Sequence, residues 1–285
     1  MPSIDTFIDL HVHSTASDGT LTPAEVTALA EKQKLSAYAL TDHDTVSGIR
    51  EAQQAAGPNG PTVIPGIEIS CPWEGLEIHI LGLFLDPENP ALLEALAAIR
   101  QERDNRNEQI LSRMIQDGIS ICREDLTFGS PNTVITRAHF ARAMMRKGLV
   151  SSMEQAFNRY LGRGKPYFFQ KKMMEPKMAI HLIRQAGGFP ALAHPVQYKL
   201  GWKKTEELLS VLTQMGLMGV EVYYSSHTQS DSLRLREIGK RLGLLSTGGS
   251  DFHGANKPDI QLGFGYGGLR VSSLLLEDIR IRLGR

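Results

Sequence analysis

The chain has 285 residues, 41% apolar and 22% charged, with no net charge at pH 7, a composition that excludes disordered, fibrous and disulfide-stapled classes. No run approaches the roughly 18 apolar residues of a membrane-spanning helix, and Met1-Pro2-Ser3-Ile4-Asp5 has neither a basic segment nor an apolar signal core, so a cytoplasmic location is expected. Cys71 and Cys122 are too few for a disulfide framework and lack zinc-motif spacing, which leaves them as reduced thiols.

An apolar strand from Thr6 to Val12 carries Asp9-Leu10-His11-Val12-His13, with its two histidines on one face. The loop after it supplies Asp18 before Gly19. Thr22-Pro23-Ala24-Glu25 reads as a capping box with proline at the first helical position, opening a helix to about Gln33. Strand Ala37 to Leu40 ends in Thr41-Asp42-His43-Asp44, and a helix from Gly48 to Ala56 stops at Gly57-Pro58-Asn59-Gly60. Strands follow from Thr62 to Ser70, holding Glu68, and from Glu77 to Leu85, holding His79. The close spacing around Trp73-Glu74-Gly75 predicts a hairpin-like connection.

Asp86-Pro87-Glu88-Asn89-Pro90 breaks this pattern. A long helix is expected over Ala91–Gln116, with shorter ones over Arg137–Lys147 and Met153–Tyr160. Alternation resumes with a helix from Pro176 to Gln185. Strands are expected over Phe189–Ala193, Gly219–Tyr224 and Leu244–Thr247, with helices centred on Glu206–Met215 and Ser230–Leu242. Ala193-His194-Pro195 and Ser250-Asp251-Phe252-His253 follow two of these strands, and Gly263 to Gly268 reads as a loop before a terminal strand.

Alternating strands and helices imply an α/β fold with parallel strands and crossover helices. About seven strands suffice for a distorted barrel, whose chemistry collects at the carboxyl ends of the strands. Residues 1–86 and 176–285 would form that barrel. Residues 87–175 would be a mainly helical insertion over the same end. Between Asn89 and Lys172 there are 14 Lys and Arg against 8 Asp and Glu, which suggests an anionic substrate, although a solvated helical surface is the commoner meaning of such a bias. Isolated imidazoles and carboxylates in apolar strands need partners. A metal cluster would satisfy His11, His13, Asp18, His43, Glu68, His79, His194, Asp251 and His253 together.

In order along the chain, the H-x-H with its downstream Asp, then T-D-H-D, G-x-E, A-H-P and S-D-x-H, resemble the PHP (polymerase and histidinol phosphatase) superfamily. The resemblance spans Asp9 to His253. It implies the PHP-type barrel and three divalent metal ions. His11, His13, Glu68 and Asp251 would hold the first, Glu68 with His79 and His194 the second, and Asp18, His43 and His253 the third. Asp18 stands where some members have histidine. The donors suit manganese, iron or zinc, with manganese favoured. Thr136-Arg137-Ala138-His139 and Tyr160-Leu161-Gly162-Arg163-Gly164-Lys165-Pro166 are similar to elements of bacterial phosphoesterases acting on nucleoside 3′,5′-bisphosphates, some of which also trim short RNA from the 5′ end.

The implied reaction removes the 3′-phosphate by a hydroxide shared between metals, with Asp251 or His194 managing the proton on the leaving oxygen and His227 touching the scissile phosphate. Arg137 and Arg163 would clamp the second phosphate, helped by Lys165 and His139. Tyr223 or Phe168 would stack on a base. Asp9 and Asp42 would orient histidines. The partner is therefore a small nucleotide or a short RNA, with no duplex DNA and no membrane, and the oligomeric state stays open. Alternatives are a 5′-to-3′ exoribonuclease using the same site, a histidinol-phosphate phosphatase, and a noncatalytic metal-binding PHP module.

Overall fold

Barrel strands alternate with helices on either side of a long helical segment. A computed structural model describes residues 6–128 and 132–285; Met1 to Asp5, read above for a signal segment, lie outside the described residues. The strands are β1 (Phe7–Val12), β2 (Ala37–Leu40), β3 (Thr62–Trp73), β4 (Leu76–Leu83), β5 (Phe189–Leu192), β6 (Gly219–Tyr224), β7 (Leu245–Gly249) and β8 (Val271–Ser272). They form one sheet in the order β7-β6-β5-β4-β3-β2-β1-β8.

The sheet nearly closes on itself. The Asp251 N–H donates to the His11 carbonyl at 2.8 Å, and the His13 N–H donates to the Phe252 carbonyl at 3.0 Å. Closure explains one glycine. A Cβ at Gly249 would lie 2.4 Å from the His11 nitrogen and 2.9 Å from Asp9 Oδ1, so β7 approaches β1 too closely for any side chain.

The strands are not all parallel. β4 runs antiparallel to both β3 and β5, and β8 runs antiparallel to β1. The cause is the hairpin at Glu74-Gly75, where φ is 43° and 79°. Two successive positive φ values make the tight turn that joins antiparallel strands, and no crossover helix fits in two residues. Reversal puts the start of β4, with His79, at the end where the parallel strands finish. Ligand-type residues on antiparallel and parallel strands thus meet at one rim.

The helices are α1 (Pro23–Lys32), α2 (Ile49–Ala55), α3 (Pro90–Gln116), α4 (Arg123–Thr127), α5 (Arg137–Arg146), α6 (Met153–Ala156), α7 (Pro176–Gln185), α8 (Trp202–Gln214), α9 (Gln229–Leu242) and α10 (Leu274–Leu283). The expected capping box opens α1. After α6 the chain widens into one π-helical stretch, Phe157–Leu161, instead of continuing as α-helix. The long helix α3 serves two cores. Leu92, Leu96 and Ile99 pack with the barrel residues Ile67, Ile69 and Ile80, whereas Ile110, Leu111 and Met114 pack with Phe140 and Met144 of α5. A single rigid element therefore carries the helical segment across the ligand-bearing rim.

Candidate active site

Glu68, in the middle of β3 and 1% exposed, is the hub of the site. Its Oε1 lies 2.8 Å from His79 Nδ1, 3.1 Å from His194 Nε2 and 3.3 Å from His11 Nε2. Its Oε2 lies 3.0 Å from His43 Nδ1 and 3.3 Å from His13 Nε2. Asp251 Oδ1 is 3.5, 3.4 and 3.3 Å from nitrogens of His11, His13 and His253. Asp18 closes the far side, with Oδ1 3.3 Å from His253 Nε2 and Oδ2 3.9 Å from His43 Nε2. The structure thus brings together all nine side chains singled out in the sequence.

Their grouping is more continuous than three separate sets. His13 joins Asp18, His43 and His253, and it also joins His11 and Asp251; His43 joins Glu68 and His79 as well, and His194 stands with His11 and Glu68. Burial would raise the carboxyl of Glu68, but His79, His43 and His11 hold it well below its usual range. Burial is likewise outweighed at Asp18 by His43 and His253, and at Asp251 by Lys257 and His11. These carboxylates stay ionised, as metal ligands must.

The donor set fits divalent ions. His11 Nε2 and His13 Nε2 face each other at 3.1 Å, an arrangement two neutral acceptors tolerate when a cation lies against both. The buried His43 Nδ1 and His194 Nδ1 have no hydrogen-bond partner among the described residues. His43 Nδ1 is close to Glu68 but not aligned for a hydrogen bond.

Other buried groups hold these ligands. Glu221 accepts from His11 Nδ1 at 3.0 Å with one oxygen and from the His194 backbone N–H at 2.7 Å with the other. The His11 Nε2 lone pair is thereby turned towards Glu68. Asp9 and Asp42 orient loops rather than imidazoles. Asp9 accepts from the backbone of His11, Ser250 and Gly263 and from the Ser250 hydroxyl. Asp42 accepts from the backbone and hydroxyls of Ser14 and Ser17, which shapes the loop carrying Asp18. His194 and Asp251 have φ of 27° and 58°, a backbone strain that persists because these contacts over-determine it.

A cleft of about 560 Å³ opens from Asp18, His43, His79 and His194 to the helical segment. Arg103, Arg106, Arg137, Arg163 and Lys171 line it. Arg103 and Lys171 neutralise the buried Asp44. Arg106 is 3% exposed, and its Nη2 has no hydrogen-bond partner among the described residues. Burial first, then Arg103 and Arg137 beside it, push its pKa down. Lys171 is pushed down to about 8 by burial and by Arg103. Arg137 bonds Glu77 at 3.1 Å and stands 5.2 Å over the Phe168 ring, and Arg163 reaches the Gly75 carbonyl.

Four residues expected at the substrate stand elsewhere. His139 is buried at the start of α5, where its Nδ1 accepts from the Thr136 N–H at 3.1 Å; it completes a capping box. Lys165 is exposed and outside the cleft lining. Tyr223 packs into the apolar cores, because the β6–β7 register shifts between Glu221 and Tyr223. The bulge turns the next residue inward, and Tyr224 donates to Asp251 Oδ2 at 2.7 Å. His227 lies behind Tyr224, its Nδ1 bonded to the Val222 carbonyl at 3.0 Å.

Glu221, Arg103, Arg106, Lys171, Tyr224 and Lys257 were absent from the sequence-derived set. Three of them leave a sequence signal. Glu221 is a lone carboxylate inside an apolar strand, and Arg103 and Arg106 are one turn apart on one face of α3.

The PHP domain model matches residues 9–162. This chain belongs to the PHP domain family and is a hydrolase of its phosphoesterase kind. It is 37% identical over 247 residues to the 3′,5′-nucleoside bisphosphate phosphatase of Chromobacterium violaceum, covering 86% of this chain and 87% of that one. It is 38% identical over 245 residues to a 5′-3′ exoribonuclease of Haemophilus influenzae, covering 86% and 89%. A solved Chromobacterium violaceum structure, described as an amidohydrolase with bound sulfate and no metal, superposes with a TM-score of 0.84 at 36% identity over 90% of each chain. A Bifidobacterium adolescentis protein, described provisionally as a metal-dependent phosphoesterase, does so at 0.86 and 29% identity over 100% of each.

Proposed function

We propose that this enzyme removes the 3′-phosphate from nucleoside 3′,5′-bisphosphates, leaving the 5′-nucleotide, and that the same site trims short 5′-phosphorylated RNA from its 5′ end. The observation that carries the reading is Arg106, a buried guanidinium with a free Nη2 in the wall of the cleft. An unpaired buried cation is costly, and an anion that entered the cleft would relieve it. A substrate with two phosphates meets both ends of the site, one on the ligand cluster and one on Arg106, Arg137 and Lys171. The names of two relatives supply the chemistry that fits such a pair.

Three divalent ions, manganese in preference to iron or zinc, are held by His11, His13, Asp18, His43, Glu68, His79, His194, Asp251 and His253. Bound there, they supply Lewis acidity and lower the pKa of water. Glu221 fixes the tautomer of His11. Asp251 Oδ2 already receives the Tyr224 hydroxyl and the Lys257 ammonium. Phe168, beside Arg137 in the cleft, offers a face for the base. No described helix is long and apolar enough to cross a membrane, and a cytoplasmic site of action suits a nucleotide substrate.

The test is phosphate release from adenosine 3′,5′-bisphosphate by protein loaded with manganese. Native protein should turn it over, and Glu68→Gln should lose at least a hundredfold in rate. Equal rates for both would refute the assignment of the site.

A further inference from the structure

A second cavity, about 280 Å³, adjoins the substrate cleft at Gln197. Two observations connect it to the site. Gln197, on the short 3-10 helix Pro195–Tyr198 that follows His194, lines both the cleft and this cavity. Tyr224 and Lys257 line the cavity and bond the outer oxygen of Asp251, at 2.7 and 2.5 Å. The inner oxygen of Asp251 faces His11, His13 and His253. The two spaces meet at Gln197, with Asp251 close to the second one through Tyr224 and Lys257, so a chain whose phosphate lay on the cluster would have one neighbour in the cleft and the next in the cavity.

The lining chemistry suits a nucleoside more than a second phosphate. Lys257 is committed to Asp251, and Asp259 adds a carboxylate to the lining. Ser225 already donates to the Ser250 carbonyl at 2.6 Å. Tyr266 is 61% exposed at the edge of the cavity, an unusually open position for a large ring in a loop between Gly265 and Gly267. An open aromatic face beside a nucleotide path is a stacking platform, tolerant of base identity.

We propose that this cavity binds the nucleoside 3′ to the cleaved bond when the substrate is a short RNA, with its base stacked on Tyr266. This rests on the reading of the site as a 3′-phosphoesterase and extends it. In RNA cleavage, the oxygen of water forms the new bond to phosphorus and the bond from phosphorus to the 3′ oxygen breaks. That oxygen takes up a proton and leaves with the 5′-terminal nucleotide. The shortened RNA keeps the phosphate as its new 5′ end. A bisphosphate has no second nucleoside and leaves the cavity empty.

The experiment compares kcat/KM for three substrates on manganese-loaded protein: adenosine 3′,5′-bisphosphate, the 5′-phosphorylated dinucleotide of adenosine, and the same dinucleotide with its second residue abasic. Native protein should prefer the full dinucleotide over the abasic one about tenfold, the lower part of the range for one base on an aromatic ring. Tyr266→Ala and Ser226→Trp, the second chosen to fill the cavity, should each abolish that preference. Equal rates on the two dinucleotides in native protein, or a preference that survives both variants, overturn the proposal. Release of phosphate from the bisphosphate without attack on either dinucleotide also overturns it, while leaving the phosphatase reading intact. If no substrate is turned over, both fall together.

Discussion

Glu221 Oε1 lies 3.0 Å from His11 Nδ1, and neither residue is exposed to solvent at all. The pair decides which nitrogen of His11 faces Glu68, because a proton held on Nδ1 leaves the Nε2 lone pair free. The backbone of His194 hangs on the other oxygen of the same carboxylate, so a residue outside the cluster sets the orientation of two residues inside it.

Removing that carboxylate should weaken the metal site without dismantling the fold. Glu221→Gln is expected to lower manganese affinity ten- to a hundredfold, the usual cost of losing a partner behind a ligand. Titration of metal-free protein by calorimetry measures this directly. Activity should return as manganese is raised. Unchanged affinity would show that Glu221 does not position His11.

Arg106 should act on substrate alone. Arg106→Met keeps much of the buried stem and removes the charge. The KM for adenosine 3′,5′-bisphosphate should rise roughly tenfold to a hundredfold, the range for losing a hydrogen bond to a charged group, while the KM for 3′-AMP, which lacks the 5′-phosphate, should change little. A similar rise for both would mean that Arg106 supports the cleft and does not bind the second phosphate.

His139 predicts a dependence of stability on pH. Burial pushes its pKa down to about 4 from 6.5. The unfolded chain therefore takes up this proton first as the pH falls. The stability that depends on a neutral His139 is fully present above about pH 6.5, declines below it, and is lost by about pH 4, a total of roughly 3 kcal/mol. His139→Gln keeps an acceptor for the Thr136 N–H and removes the titration. Urea unfolding of metal-free protein should show the variant losing less stability than native between pH 6.5 and 4. Parallel losses would contradict this.

Gly249 marks where the barrel closes. Gly249→Ala places a methyl group 2.4 Å from the His11 nitrogen, backbone that has no room to move. Destabilisation of roughly 1–3 kcal/mol is expected from such overpacking, together with weaker metal binding, since His11 must shift. Thermal unfolding with and without manganese reads both effects.

Much of the site was legible because its residues break local rules. Histidines and carboxylates inside or just after apolar strands stand out against their surroundings, and Glu68 or His79 needs no alignment to look out of place. The positions that failed depend on geometry that sequence does not carry. A bulge in β6 exchanged the facing of Tyr223 and Tyr224. His139 and Arg137 follow Thr136 in one short motif, yet the helix they open turns one inward as a cap and the other into the cleft. Arg103 and Arg106 looked like members of a charged helical surface, which is what most arginines at that spacing are; only the placement of α3 across the rim buries them. In the fold, the reversal at β4 was implicit in the hairpin signal at Glu74-Gly75, but the alternation of strands and helices on either side outweighed it.

The central claim is that the 3′-phosphate lies on the ligand cluster while the 5′-phosphate is held near Arg106. The most direct test follows adenosine 3′,5′-bisphosphate and manganese-loaded protein by ³¹P NMR. Inorganic phosphate together with 5′-AMP is the predicted outcome. Accumulation of 3′-AMP instead would reverse the orientation and contradict the account.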